Sequence, residues 1–96
     1  MTAAGRPLDG QVAIVTGAGR GSGRAVAEAL AREGMAVVLA ARSRQQLAEA
    51  AAAIRSGGGR ALAIPTDVTQ DVAVEALVEQ AVAEFGRLDV LVTAAG

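Results

Sequence analysis

The chain contains no cysteine, histidine, lysine, tyrosine, tryptophan or asparagine, and its one aromatic residue is Phe85. Without cysteine there is no disulfide and no thiolate metal site, which fits a reducing, cytoplasmic setting. Without histidine or cysteine there is no nucleophile–base pair of the usual kinds, and the acidic residues fall mostly on helix surfaces rather than in clusters. No catalytic residue and no metal ligand is therefore assigned. A net charge of −1 with almost no aromatics excludes the basic, aromatic-laced surface that nucleic-acid binding needs. No apolar run approaches the roughly 18 residues required to span a bilayer, and Met1–Pro7 lacks the apolar segment of a signal peptide, so it reads as a flexible lead-in.

What is present is apolar and small. Hydrophobic residues make up 52% of the 96, nearly all Ala, Val, Leu and Ile, which favours one well-buried domain over disorder. Gln11–Thr16 is a continuous apolar run ended by Gly17, as in a strand covered on both faces. Gly21–Glu33 carries a helical pattern stopped by Gly34. Met35–Ala41 is a second buried strand. Ser43-Arg44-Gln45-Gln46 has capping-box spacing, in which the serine hydroxyl takes one free N–H and Gln46 reaches back to another. Leu47, Ala50, Ala51 and Ile54 then share one helical face up to Gly57-Gly58-Gly59. Arg60–Pro65 is a third strand and Gln70–Phe85 a third helix, striped by Val74, Leu77, Val78, Ala81 and Phe85. Asp89–Thr93 is a fourth strand. Strict alternation with short connections predicts an α/β fold: a Rossmann-like, doubly wound parallel sheet, incomplete at four strands and three helices, occupying residues 8–96.

The segment between the first strand and first helix is the most informative. Thr16-Gly17-Ala18-Gly19-Arg20-Gly21-Ser22-Gly23 sets four glycines where backbone must approach something closely. A strand before and a helix after make a phosphate on the helix N-terminus the favoured occupant, against the alternative of a turn that merely needs positive φ. The spacing is T-G-x-x-x-G-x-G rather than the commoner G-x-G-x-x-G. A P-loop would need Gly-Lys-Ser/Thr, and there is no lysine.

With these residues the sequence resembles the short-chain dehydrogenase/reductase family from about Leu8 to Gly96. The resemblance rests on Asp9–Gly17, the glycine loop, Ala41-Arg42, Thr66-Asp67-Val68-Thr69 and Leu91–Gly96. It implies a doubly wound domain that binds NAD or NADP and moves a hydride between nicotinamide and an alcohol or carbonyl carbon of a small-molecule substrate. It implies that Gly17, Gly21 and Gly23 form the diphosphate loop, with Thr16, Gly19 and Ser22 beside them. It sets Asp67 and Val68 beside adenine, against the alternative of a solvated or helix-capping carboxylate, and Ala95 and Gly96 along the cofactor.

The family usually has a bulky aliphatic residue where Ser22 stands, and Asn-Asn-Ala-Gly where this chain has Thr93-Ala94-Ala95-Gly96. The missing amide bears on the hydrogen bonds that steady the sheet.

An acidic residue at the end of the second strand would hold the ribose hydroxyls of NAD. Ala41-Arg42-Ser43 stands there instead, and Arg20 precedes Gly21. A guanidinium binds a 2′-phosphate in a forked, charge-assisted way, so NADP is expected over NAD. The alternative is that both arginines are ordinary solvated charges.

The family's catalytic Tyr, Lys and Asn have no counterpart here, and none of Ser22, Ser43 and Ser56 stands where its catalytic Ser would. The chain reads as the cofactor-binding N-terminal portion of a longer oxidoreductase, homo-oligomeric only with the further C-terminal part present. The alternative is a non-catalytic nucleotide-binding or sheet-edge interaction module.

Overall fold

The computed structural model describes residues 8–94; Met1–Pro7, read from the sequence as a lead-in, and Ala95 and Gly96, expected to line the cofactor, lie outside the described residues. The elements are β1 (Val12–Thr16), α1 (Gly21–Arg32), β2 (Ala36–Ala41), α2 (Arg44–Ser56), β3 (Arg60–Pro65), α3 (Asp71–Phe85) and β4 (Val90–Thr93). All seven expected elements form, with ends within a residue of the pattern.

The strands pair in parallel in the order β3-β2-β1-β4. The chain thus runs outward from β1 through β2 to β3, then returns past β1 to lay down β4. Right-handed crossovers in opposite directions put their helices on opposite faces. One apolar cluster joins Val15, Val37 and Leu39 to Ala27 and Ala31 of α1 and Leu47, Ala51 and Ile54 of α2. A second joins Ile14, Val38 and Ala40 to Leu77 and Ala81 of α3. Alternate residues of β1 and β2 feed the two clusters. Every residue of β1 is buried, which is why its sequence is an unbroken apolar run. Small alanines at the seam let α1 and α2 sit close to the sheet.

Helix ends follow local chemistry. Gly34 at φ 98° and Gly86 at φ 81° adopt left-handed backbone just where α1 and α3 stop. Ser43 Oγ accepts from Gln46 N at 3.2 Å and caps α2. Only that half of the expected capping box forms, because the Gln46 side chain lies instead against the glycine loop. At the other end of the sheet, Asp89 binds Val12 twice. Its carboxylate accepts the Val12 N–H at 2.8 Å and its own N–H donates to the Val12 carbonyl at 2.9 Å. The Arg87 guanidinium grips the same carboxylate at 2.7 and 2.9 Å. These bonds fix the start of β4 against the start of β1.

Candidate functional site

Parallel strands send all their outgoing connections to one end of the sheet, the carboxyl end of its strands. β1 leads into Gly17–Arg20, β2 into Arg42 and Ser43, β3 into Thr66–Thr69, and β4 into Ala94. These connections border a cleft of about 680 Å³. The winding direction reverses between β1 and β4, so the connections from these two strands diverge and leave room there; such a switch point is where open α/β sheets bind ligands.

The glycine loop forms one wall. Gly17 and Gly21 have φ of 64° and 60°, a left-handed conformation that costs other residues about 1–2 kcal/mol. A Cβ on Gly17 would come within 2.5 Å of the Ala94 carbonyl oxygen, and one on Gly23 would overlap the Gly17 carbonyl. The loop therefore folds its own backbone against the first turn of α1. Ala18 N donates to the Ala40 carbonyl at 3.2 Å, tying the loop to β2. Gly19 packs so tightly on Gln46 that a Cβ would sit 2.9 Å from Oε1.

The N-terminus of α1 opens beside this loop. Its cap, Arg20, makes no side-chain capping bond, and its first turn has no acidic residue. The first N–H groups of that helix carry partial positive charge and lack a side-chain acceptor, and Gly21 has open space where a side chain would stand. This is a surface suited to an anion.

The opposite wall is polar. Thr66 sews β3 to β2, its N–H donating to the Ala41 carbonyl at 2.8 Å and its hydroxyl to the Ile64 carbonyl at 2.8 Å. Asp67 Oδ1 accepts from Thr69 N at 3.0 Å and from Thr69 Oγ1 at 2.7 Å. Those two bonds, and then the charge of Arg42, hold the Asp67 carboxyl below the usual carboxylate range. The Arg42 side chain is 76% exposed, with Nε 3.9 Å from Asp67 Oδ1. Val68 is exposed and also borders a second, more apolar cleft of about 470 Å³ formed with Leu77, Val78, Leu91 and Thr93.

Of the residues singled out in the sequence, Thr16, Gly17, Gly19, Arg20, Arg42, Ser43, Asp67 and Val68 share the larger cleft. Gly21, Ser22 and Gly23 lie in the adjoining first turn of α1, and Ser22 is exposed rather than packed. Sequence reasoning missed Ala41, Gln46, Thr69 and Ala94 as lining residues, and gave Thr66 no place there. The D-V-T run contained a usable signal for Thr69, since Asp commonly accepts from the residue two positions on. Gln46 had none, because its contact with Gly19 depends on how α2 lies over the loop. Where the family's paired asparagines would stand, Thr93 ends β4 and Ala94 follows it, while Thr16 Oγ1 donates across to the Val92 carbonyl at 3.4 Å.

The family model described as short chain dehydrogenase matches residues 11–96. The short-chain reductase protein NovJ of Streptomyces niveus is 58% identical over 85 residues, covering 88% of this chain and 32% of that protein. A short-chain dehydrogenase/reductase from Burkholderia phymatum in complex with NAD superposes with a TM-score of 0.85 at 40% identity, over 88% of this chain and 30% of that one. The actinorhodin polyketide ketoreductase with NADPH gives 0.85 at 38% identity, over 90% and 33%. The chain thus spans about a third of the length of these proteins.

Proposed function

The chain belongs to the short-chain dehydrogenase family, and on that footing we propose that it is the cofactor-binding part of an NADP-preferring oxidoreductase acting on small alcohols or carbonyl compounds. When bound, such a dinucleotide supplies a hydride donor or acceptor. The residues present fit its diphosphate. Gly17 and Gly23 bring backbone together, Gly21 leaves a space free of side chain, and the α1 N-terminus offers uncapped N–H groups with no competing carboxylate. Asp67 and Val68 would flank the adenine, while Arg20, Arg42 and Ser43 would receive a 2′-phosphate. Thr16 and Ser22 would border the loop, and Ala95 and Gly96, assigned by resemblance, would continue the cofactor wall. The role of the chain's own residues is to bind, orient and partly dehydrate the dinucleotide. We place this activity in the cytoplasm.

The observation that carries the NADP preference is the set of charges at the end of β2. Arg42 and Arg20 both border the cleft, and β2 ends without the carboxylate that would repel a 2′-phosphate. Each charge-assisted bond is worth about 1.5–3 kcal/mol, so one contact separates the two dinucleotides by about ten- to hundredfold. Calorimetric titration of NADP and NAD into the protein of native length tests this. NADP should bind more tightly, and Arg42→Asp should erase or invert the order. Equal affinities in wild type, or an order unchanged in the variant, would remove the assignment.

One observation favours a second reading. β4 pairs only with β1 among the described residues, and its Val90 and Leu91 are exposed. An open apolar edge of this kind suits strand addition by another segment or chain. A sheet-edge interaction module would bind neither dinucleotide in that titration.

A further inference from the structure

Arg42 and Asp67 leave two different strands, β2 and β3, and meet across the cleft at 3.9 Å. The Arg42 guanidinium is largely solvated and has a choice of partner. Asp67 does not. Two donors from Thr69 hold its Oδ1 in place, and hydrogen bonds to a charged carboxylate favour keeping it charged. A fixed negative charge therefore stands beside the cationic side chain at the end of β2 that is proposed to receive a 2′-phosphate.

We propose that Asp67 is a specificity-determining residue: its carboxylate competes with the ligand's 2′-phosphate for Arg42 and so limits the preference for the phosphorylated dinucleotide. The inference rests on the cofactor reading above. It acts through two effects of the same sign. The Asp67 charge already draws on the Arg42 guanidinium and weakens its pull on the phosphate, and a phosphate held by Arg42 sits near a carboxylate of like charge. A dinucleotide without the 2′-phosphate experiences neither effect. Any contact between Asp67 and the adenine is common to both ligands and drops out of the ratio of their affinities.

The experiment uses Asp67→Asn in the protein of native length, with NADP and NAD as probes. The asparagine side-chain oxygen can still accept from Thr69, so the turn is kept while the charge is removed. Both dinucleotides bind more weakly if adenine loses an ionised acceptor, yet the ratio of NADP to NAD affinity should rise by about two- to fivefold, the span that exposed ion pairs cover. In an Arg42→Gln background the same substitution should raise the ratio less. A ratio that stays level or falls in Asp67→Asn, with both ligands still binding, overturns the proposal. So does an equal rise in the Arg42→Gln background. Failure of wild type to bind either dinucleotide would instead overturn the cofactor reading itself.

Discussion

Replacing Gly23 with alanine sets two effects against each other. Gly23 lies in the first turn of α1 at ordinary helical φ, so intrinsic propensity alone would favour alanine by about 1 kcal/mol. The new methyl would overlap the Gly17 carbonyl oxygen, stand 2.7 Å from the carbonyl carbon and 3.2 Å from the Ala94 Cβ. The first two atoms are backbone and cannot rotate away. Overpacking of this kind costs typically about 1–3 kcal/mol, and contact with fixed atoms puts it at the upper end. The net expectation is a loss of about 2 kcal/mol, the crowding term less the propensity gain. Relief requires the glycine loop and α1 to part, so the N–H groups that converge on an anion no longer do so. Losing one charge-assisted bond to a diphosphate lowers affinity by about ten- to hundredfold. Gly58→Ala is the control. Gly58 sits at φ 88° with nothing within 4 Å of its would-be Cβ, away from the cleft. It should lose about 1–2 kcal/mol through the left-handed backbone alone, with nucleotide affinity unchanged. Urea denaturation and calorimetric titration of NADP read both quantities. A Gly23→Ala protein as stable as wild type that binds NADP equally well would refute the reasoning.

Other outcomes follow from the same structure. Leu77, fully buried against β1 and β2 on the α3 face, should lose about 2–5 kcal/mol on Leu77→Ala, measured by urea denaturation. The Arg87 guanidinium, and after it the Val12 N–H, holds the Asp89 carboxyl below its ordinary range. A carboxyl depressed in the folded state contributes fully above its unfolded value, about 3.9, and loses that contribution as the pH falls through the lower folded value. Asp89→Asn should therefore flatten the acid arm of the stability profile, and profiles of equal slope would contradict this.

The parts of this fold that were legible in the sequence are those set by nearby residues. β1 and β2 read as strands because helices cover both faces of a parallel sheet, leaving no solvent-facing position to break the apolar run. The α2 face from Leu47 to Ile54 and the α3 stripe from Val74 to Phe85 were legible because burial on a helix repeats every three to four residues. The glycine loop was legible because its glycines answer a local backbone demand.

What escaped depends on distant parts of the chain. The Asp89 carboxylate binds Val12, 77 positions away, and nothing near either residue signals it. The second half of the Ser43–Gln46 cap does not form, and the Gln46 side chain lies against Gly19 instead. Ala94 joins the cleft through the place where β4 ends beside β1; Thr69, bonded to Asp67 two positions away, is the exception whose signal was local. Arg42 and Asp67 were each singled out, but their proximity depends on the pairing of β2 with β3.

On the proposed reading, the Gly17–Gly23 loop and the ends of β2 and β3 together hold a dinucleotide. The most direct measurement is the change in backbone amide resonances of the protein of native length as NADP is added. Binding there gives saturable shifts at Gly17–Gly23, Arg42, Ser43, Asp67 and Val68, with little change at Gly57–Gly59 at the opposite end of the strands. Shifts confined to Gly57–Gly59, or none at saturating NADP, would contradict it.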